Sequence, residues 1–400
     1  MSSSPLSPKL LIIVVALIGM LAPFTIDTYL PSFPSIEAEL SVERGLLTQT
    51  LAVYLISFAL ATLLWGPMAD KWGRKPIILL SLAGYLAASV LSAWAQSIEV
   101  LLLGRALQGV MVAGSLVASR AMIRDYFQGD EAQKAMALMM MLFAAAPALA
   151  PIIGGWLEVH LGWRSVFYFL ALYALLIIVM FTLRVPETQD PQHVQSIHPI
   201  NIVKSYWQSI VHPQFLRLVA AQGFIIGGFF VYVAGSASLI FDHLGLGEQD
   251  FWVLFVPVVS GILMGSILIH RLSHLYKPTR LINVAFALAA TAVIINMAFE
   301  TYLPIQAWSV VAPLVLYAVA FAMVNPGLSI VSLDCLPTKR GLASSVQSLF
   351  QMGMAGLVAA LIVPQVHHSL QAMAFAQAAL FSVALLLWLS VRNTLSRSGG

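Results

Sequence analysis

Charge is the scarcest property of this 400-residue chain. Only 9% of its residues are charged and 60% are hydrophobic, whereas about 25% of the residues in a soluble domain are charged. This composition excludes an ordinary soluble protein. The small net charge of +3 gives no reason to expect a nucleic-acid partner, and the single cysteine, Cys335, excludes an internal disulfide.

Two further absences exclude classes of protein. No Gly-x-x-x-x-Gly-Lys-Ser/Thr phosphate loop occurs anywhere in the sequence, which argues against an ATP-driven pump. Nucleophiles, acids and metal ligands do not cluster at one depth, so we expect no enzyme activity, no metal site and no cofactor.

Apolar residues are abundant instead, and they form twelve blocks, each near the roughly 20 residues that a helix needs to cross a bilayer. The blocks are at roughly 10–29, 46–69, 76–95, 100–123, 135–157, 163–184, 216–240, 251–270, 280–299, 306–333, 342–364 and 369–391. Because only helices and closed barrels satisfy the backbone in lipid, the sequence predicts an all-α membrane protein with twelve transmembrane helices.

The basic residues predict the orientation of these helices. If both termini are cytoplasmic, all of the 20 lysines and arginines except Arg44, Arg105 and Arg164 belong to cytoplasmic segments or their borders. Residues 1–8 are too few for a signal-peptide n-region and a cleavable apolar region, so we expect the first span to be retained.

The longest hydrophilic stretch, 185–215, divides the spans into two sets of six. Its prolines and mixed charges are typical of a cytoplasmic linker. We therefore predict an N-terminal six-helix bundle at 1–184 and a C-terminal six-helix bundle at 216–400, arranged around a central cavity.

Asp27 is the only carboxylate that we place inside an apolar block, where a charge is costly enough to indicate a proton or ion site. Counted from the span centres, Asp27 lies about 7 Å and Arg105 about 10 Å toward the outside. We therefore predict an ion pair, in which burial opposes ionisation of the carboxyl and the guanidinium favours it. The alternatives are a permanent structural salt bridge, or an Asp27 side chain that only reaches the outer interface.

Residues 66–76 lie between the second and third spans and carry the strongest local pattern. They resemble the loop signature of the major facilitator superfamily, Gly-x-x-x-Asp-x-x-Gly-Arg-Lys. The matching residues, which the resemblance makes gating candidates, are Gly66, Asp70, Gly73, Arg74 and Lys75. The resemblance implies the two-bundle fold of that superfamily, with Asp70 closing the inner side opposite the helix start near Gly341. A basic loop without a gating role is the alternative.

Other stretches resemble the bicyclomycin-resistance branch of drug–proton antiporters. They are 26–31, the Arg105-x-x-Gln108-Gly109 pattern, 123–125, 150–155 and 162–164. Further gating candidates follow from this resemblance: Arg124, Pro147, Pro151, Gly154 and Gly155. The prolines remove backbone donors and the glycines permit close helix contact. The alternative to a gating role is a helix that is simply kinked and tightly packed. Ala146 and Ala150 depart from the glycines usual in the antiporter motif.

The resemblance implies a monomeric proton-coupled multidrug exporter of the bacterial inner membrane, whose partners are protons, small amphiphilic antibiotics and the lipid bilayer. The alternative is a proton-coupled exporter or symporter of one metabolite, such as a nucleoside, an amino-acid derivative or a siderophore. The candidate substrate-binding residues are polar or aromatic side chains within the spans: Asp27, Tyr54, Phe58, Arg105, Gln108, Gln222, Phe230 and Asn325.

Overall fold

The computed structural model describes residues 8–127, 129–187, 206, 208 and 210–398, and among these it describes all side chains except those of 8–9, 124, 129–130, 132–143, 338 and 393–398. All regular secondary structure in the described residues is helical. This confirms the predicted all-α class.

In the first half of the chain, long apolar helices follow one another with short connections. They are α1 (Pro8–Asp27), α2 (Phe33–Leu40), α3 (Arg44–Trp72), α4 (Arg74–Ala93), α5 (Ile98–Tyr126), α6 (Gly129–Leu161) and α7 (Arg164–Arg184). A 3₁₀ turn, Leu30–Ser32, lies between α1 and α2.

The second half is built in the same way. Its helices are α8 (Pro213–Ala234), α9 (Trp252–Leu272), α10 (Pro278–Tyr302), α11 (Ala307–Asp334), α12 (Arg340–Leu357), α13 (Val363–Val366) and α14 (Leu370–Ser398). Two π-helical segments, Ser238–His243 and Val358–Ile362, follow α8 and α12.

Twelve helices among the described residues are long and apolar enough to cross a membrane, which confirms the predicted number of spans. The chain is therefore a multi-pass membrane protein. The first span is longer than predicted, Leu10–Leu40 instead of 10–29, because the 3₁₀ turn and α2 carry the chain onward after α1. The fifth span is found at Ala144–Leu161 and therefore includes Glu158, which the sequence placed just outside it.

The chain divides into two compact units, one formed by 1–43 and 53–198, the other by 44–52 and 199–400. The first turns of α3 group with the second unit, where Arg44 forms a 2.7 Å salt bridge with Asp242. The domain limits at 184 and 216 stay a prediction, and most of the predicted linker lies outside the described residues.

The core of the first unit contains several large polar side chains. Its fully buried large side chains include three tyrosines, Tyr29, Tyr54 and Tyr85, together with Arg105. An arginine is rarely buried completely unless it is paired. The surroundings of Arg105 therefore define the candidate site.

Candidate functional site

Asp27 lies deep inside the first span. It is the last residue of α1, and the span continues beyond it through the 3₁₀ turn and α2 to Leu40. Its residue is only 4% exposed, and its carboxyl has no hydrogen-bond or ion-pair partner among the described residues. This burial disfavours the alternative in which Asp27 only reaches the outer interface.

Arg105 lies in α5 and is completely buried. Its Nη1 donates to the backbone carbonyl of Thr25 at 3.0 Å and to Oε1 of Gln108 at 2.9 Å. The other two guanidinium nitrogens, Nε and Nη2, are buried without a hydrogen-bond partner. A buried cation with two unpartnered nitrogens is costly. This guanidinium can therefore donate hydrogen bonds to additional oxygen atoms.

The predicted ion pair between Asp27 and Arg105 is wrong, because no salt bridge joins these two described residues. Direction around the helix explains the error. Arg105 contacts α1 at the backbone carbonyl of Thr25. The Thr25 side chain points toward Tyr85, since the two hydroxyl oxygens are 2.5 Å apart. Asp27 comes two residues later, and at about 100° per residue its side chain points about 200° around the helix from that of Thr25. Similar depth in the membrane therefore did not bring the two charges together.

Aromatic rings enclose the guanidinium. Its central carbon lies 4.9 Å from the ring centroid of Tyr29 and 4.8 Å from that of Tyr54, distances at which a cation is attracted to a ring face. Tyr54 and Phe58, both buried in α3, have centroids 6.5 Å apart. The structure thus places Tyr54, Phe58 and Arg105 in one neighbourhood.

Gln108 connects Arg105 to α4. It accepts from Arg105 and donates through Nε2 to Oγ of Ser89 at 2.8 Å. Thr25, Tyr85 and Ser89 belong to this buried network but were not predicted from the sequence. The only signal that could have found them is that each is polar within an apolar span.

Two of the three candidates of the second unit, Gln222 and Asn325, form a hydrogen-bonded pair. Nε2 of Gln222 in α8 donates to the side-chain oxygen of Asn325 in α11, and to its backbone carbonyl at 3.1 Å. Oε1 of Gln222 is buried without a partner. Phe230, also in α8, is half-buried and lies edge-on to Phe229 with centroids 6.3 Å apart.

A second polar cluster in this unit contains none of the candidate site residues. Nδ2 of Asn296 in α10 donates to the Tyr232 hydroxyl at 2.7 Å and to Oε1 of Gln377 at 2.9 Å. All three residues are buried within spans. Such amides hold helices together in lipid, so we assign this cluster to packing of the second unit.

The signature loop at 66–76 forms a compact set of charged contacts in the first unit. Gly66 and Asp70 lie in the last turns of α3, and Gly73 separates α3 from α4. Arg74 donates to Oδ1 of Asp70 at 2.5 Å and to Oδ2 of Asp125 at 2.9 Å. The predicted latch between Asp70 and the helix near Gly341 concerns both units and stays a prediction.

Glu187 is the partner of this loop that the sequence did not indicate. Its two carboxylate oxygens accept from the backbone N–H groups of Arg74 at 3.1 Å and Lys75 at 2.9 Å, the first residues of α4. A carboxylate is favoured at a helix N-terminus by the unpaired N–H groups and the helix dipole. Lys75 reaches back to the carbonyl of Val185 at 2.6 Å. The loop thereby anchors the chain segment that follows α7.

Gly73 is required at this loop by its backbone. Its φ is +100° with ψ 156°, a conformation that other residues rarely adopt, and a Cβ would also collide with the Glu187 carboxylate. We expect Gly73→Ala to destabilise the protein by about 1–3 kcal/mol, measured as a lower midpoint of thermal unfolding in detergent. Gly247→Ala is the control, since its Cβ would meet only Asp250 Oδ2 at an ordinary 3.6 Å. Equal midpoints for the two variants would contradict the expectation.

Helix α6 contains the other gating candidates. Pro147 and Pro151 lie within α6, which continues through both positions. Gly154 and Gly155 are buried, and a Cβ on Gly154 would collide with the backbone of Thr28. The close approach of α6 to the end of α1 therefore depends on this glycine. The side chain of Arg124, in α5, lies outside the described residues.

The expectation that Asp27 is the only carboxylate within a span is wrong. Glu158 in α6 is 7% exposed, and its Oε1 accepts from Oγ of Ser35 in α2 at 2.5 Å. The predicted block ended one residue before Glu158, which is why the sequence assigned it to the border. The described part of the first unit thus contains two buried carboxyls, Asp27 and Glu158.

Comparisons with known proteins agree with this fold. The family model described as Major Facilitator Superfamily matches residues 15–360. The chain is 30% identical over 356 residues to an uncharacterized MFS-type transporter, YdgK, of Bacillus subtilis, covering 86% of this chain and 87% of that protein. It is 27% identical over 398 residues to a bicyclomycin resistance protein homolog of Haemophilus influenzae, covering 98% of both.

A solved structure has the same fold. It is the crystal structure of a bacterial homolog of the human lysosomal transporter Spinster, with a TM-score of 0.75 over 99% of both chains and 17% sequence identity. At this identity the likeness concerns the fold alone.

Proposed function

We propose that this chain, which belongs to the Major Facilitator Superfamily, is a proton-coupled exporter of small amphiphilic antibiotics. Membership in this family makes it a transporter and not an enzyme. The observation that carries the proposal is Asp27, a carboxyl buried within the first membrane span, where none of the described residues pairs with it. A carboxyl in that position is a group that can take a proton across the membrane.

Similarity to the Haemophilus bicyclomycin resistance protein homolog over nearly the whole chain supports antibiotics as the substrate class. We place the protein in the bacterial inner membrane with both termini cytoplasmic, as the distribution of basic residues indicates, and expect it to act as a monomer.

The binding proposal rests on Arg105. Its free Nε and Nη2 are donors for a carbonyl, hydroxyl or carboxylate oxygen of the substrate. Tyr54 and Phe58 offer apolar surface beside it. One acid and one arginine favour neutral, zwitterionic or anionic substrates over dications. Gln222, Phe230 and Asn325 are the proposed contacts in the second unit.

In the proposed cycle, Asp27 takes a proton from the periplasmic side when the site is open to the outside. The site then opens to the cytoplasm. Substrate binds beside Asp27 and Arg105 and promotes release of that proton to the cytoplasm. The loaded protein opens outward again and releases the substrate. The signature loop and α6 are the proposed gating elements.

A susceptibility panel in an efflux-deficient bacterial host tests this function. Expression of the wild type should raise the inhibitory concentration of bicyclomycin or a phenicol, and expression of Asp27→Asn should not. A protonophore should increase accumulation of the same drug in cells that express the wild type. Two results would contradict export and favour the metabolite symporter. One is no protection against any antibiotic, and the other is accumulation inside the cells that a protonophore lowers.

A further inference from the structure

We propose that Glu158 is a second proton-carrying carboxyl, which passes protons between the outer side of the first unit and Asp27. The inference rests on the proposed function, because it assigns Glu158 to the same proton path. Its starting point is burial: Glu158 is 7% exposed and lies one turn from the end of α6.

Among the residues that the structure describes, no cation pairs with Glu158. Oε1 accepts from Ser35, and Oε2 is buried with no hydrogen-bond partner. Arg164, the arginine at the start of α7, instead donates to the exposed carboxylate of Glu39 at 2.8 Å. A purely structural carboxylate at this depth would be expected to have its charge compensated. An uncompensated, half-satisfied carboxyl is instead suited to bind and release a proton.

The segment from Asp27 to Ser35, whose last residue contacts Glu158, contains hydroxyl side chains at close intervals. Thr28 follows Asp27 directly, and its backbone contacts Gly154 of α6. Glu158 lies four residues further along α6, about 6 Å away. Along the chain between Asp27 and Ser35, Ser32 is completely buried and its Oγ has no hydrogen-bond partner among the described residues. Ser35 then reaches Glu158. A hydroxyl both donates and accepts, and a bridging water can join such groups.

Other titratable or charged groups lie on the elements that pack against α6. At the outer end these are Asp27, Glu37, Glu39, Glu99, Arg105, Arg164 and, on α6 itself, His160. His160 bonds the carbonyl of Trp156 at 2.8 Å and stacks on its ring. Among these groups only Asp27 shares with Glu158 both deep burial and the absence of a cationic partner.

Two substitutions separate a proton carrier from a structural contact. Glu158→Gln keeps an oxygen that can accept from Ser35 but cannot carry a proton. Ser35→Ala removes the hydrogen bond but keeps the carboxyl. We expect Glu158→Gln to slow pH-driven uptake of bicyclomycin into inverted vesicles by roughly tenfold or more. The deficit should be largest at the highest lumen pH, where protons are scarcest on the side that corresponds to the periplasm.

The exposed control Glu39→Gln should stay close to the wild type at every pH. Ser35→Ala removes one hydroxyl of the path, where a water can take its place, and should lose less transport than Glu158→Gln. If Ser35→Ala loses as much transport as Glu158→Gln, the contact is structural and the proposal is overturned. A wild-type pH profile for Glu158→Gln would overturn it as well.

A second measurement needs no substrate and therefore stands apart from the exporter proposal. Infrared difference spectra between acid and alkaline pH, recorded on the protein in liposomes, report protonated carboxyls in apolar surroundings. We expect two such signals, one lost in Asp27→Asn and the other in Glu158→Gln. If the wild type shows no pH-driven uptake but Glu158→Gln loses its signal, the exporter proposal fails and the proton site stands. An unchanged spectrum in Glu158→Gln overturns the proton site itself.

Discussion

Asp27→Asn should abolish proton-driven export while leaving the protein folded. Asparagine has nearly the same shape as aspartate and carries no proton, and no partner of Asp27 among the described residues is lost. For a neutral substrate exchanged against one proton, a membrane potential of about 100 mV supplies about 2.3 kcal/mol. This sustains a substrate gradient of roughly 50-fold. In the variant the gradient should fall to about one.

The measurement for Asp27→Asn is substrate accumulation in vesicles with an imposed proton gradient. Size-exclusion chromatography and thermal unfolding of the variant provide the control for folding. Exchange of labelled for unlabelled substrate across the membrane, which needs no net proton movement, should persist. A retained gradient would remove Asp27 from coupling.

Arg105→Lys should weaken substrate binding more than it weakens the fold. Lysine keeps the charge but cannot reproduce the planar fork that bonds Thr25 and Gln108 and leaves Nε and Nη2 free. Losing one hydrogen bond from a charged group costs about 1.5–3 kcal/mol, which corresponds to a roughly 10- to 150-fold higher Kd.

Tryptophan fluorescence quenching by bicyclomycin, or the KM for transport, measures this effect. Arg164→Lys is the matched control, since Arg164 is an arginine of the same unit that pairs with Glu39 at the outer end. We expect its Kd to match the wild type. Equal affinity of Arg105→Lys and the wild type would show that the guanidinium serves packing only.

Local features of the chain were predictable from the sequence. The length and composition of an apolar block decide whether it can cross a bilayer, and the twelve spans follow from this property alone. Gln108 was predictable as a neighbour of Arg105, because residues three apart share one helix face, and the two side chains do bond.

Features that depend on contacts between distant segments were not predictable. The depth of Asp27 and Arg105 could be counted along each helix, but the face of α1 that Arg105 contacts could not. Glu158 depends on Ser35, 123 residues earlier in the chain. Glu187 depends on the turn at Gly73. Each of these partners becomes visible only when the packing of the helices is known.

Drug uptake by proteoliposomes under an imposed pH gradient tests the central claim most directly. Purified wild-type protein, reconstituted with an acidic lumen, should accumulate labelled bicyclomycin and alkalinise the lumen at the same time. Both changes should collapse on adding a protonophore and be absent with Asp27→Asn. Uptake that is indifferent to the pH gradient, or accompanied by proton movement in the same direction as the drug, would contradict the account.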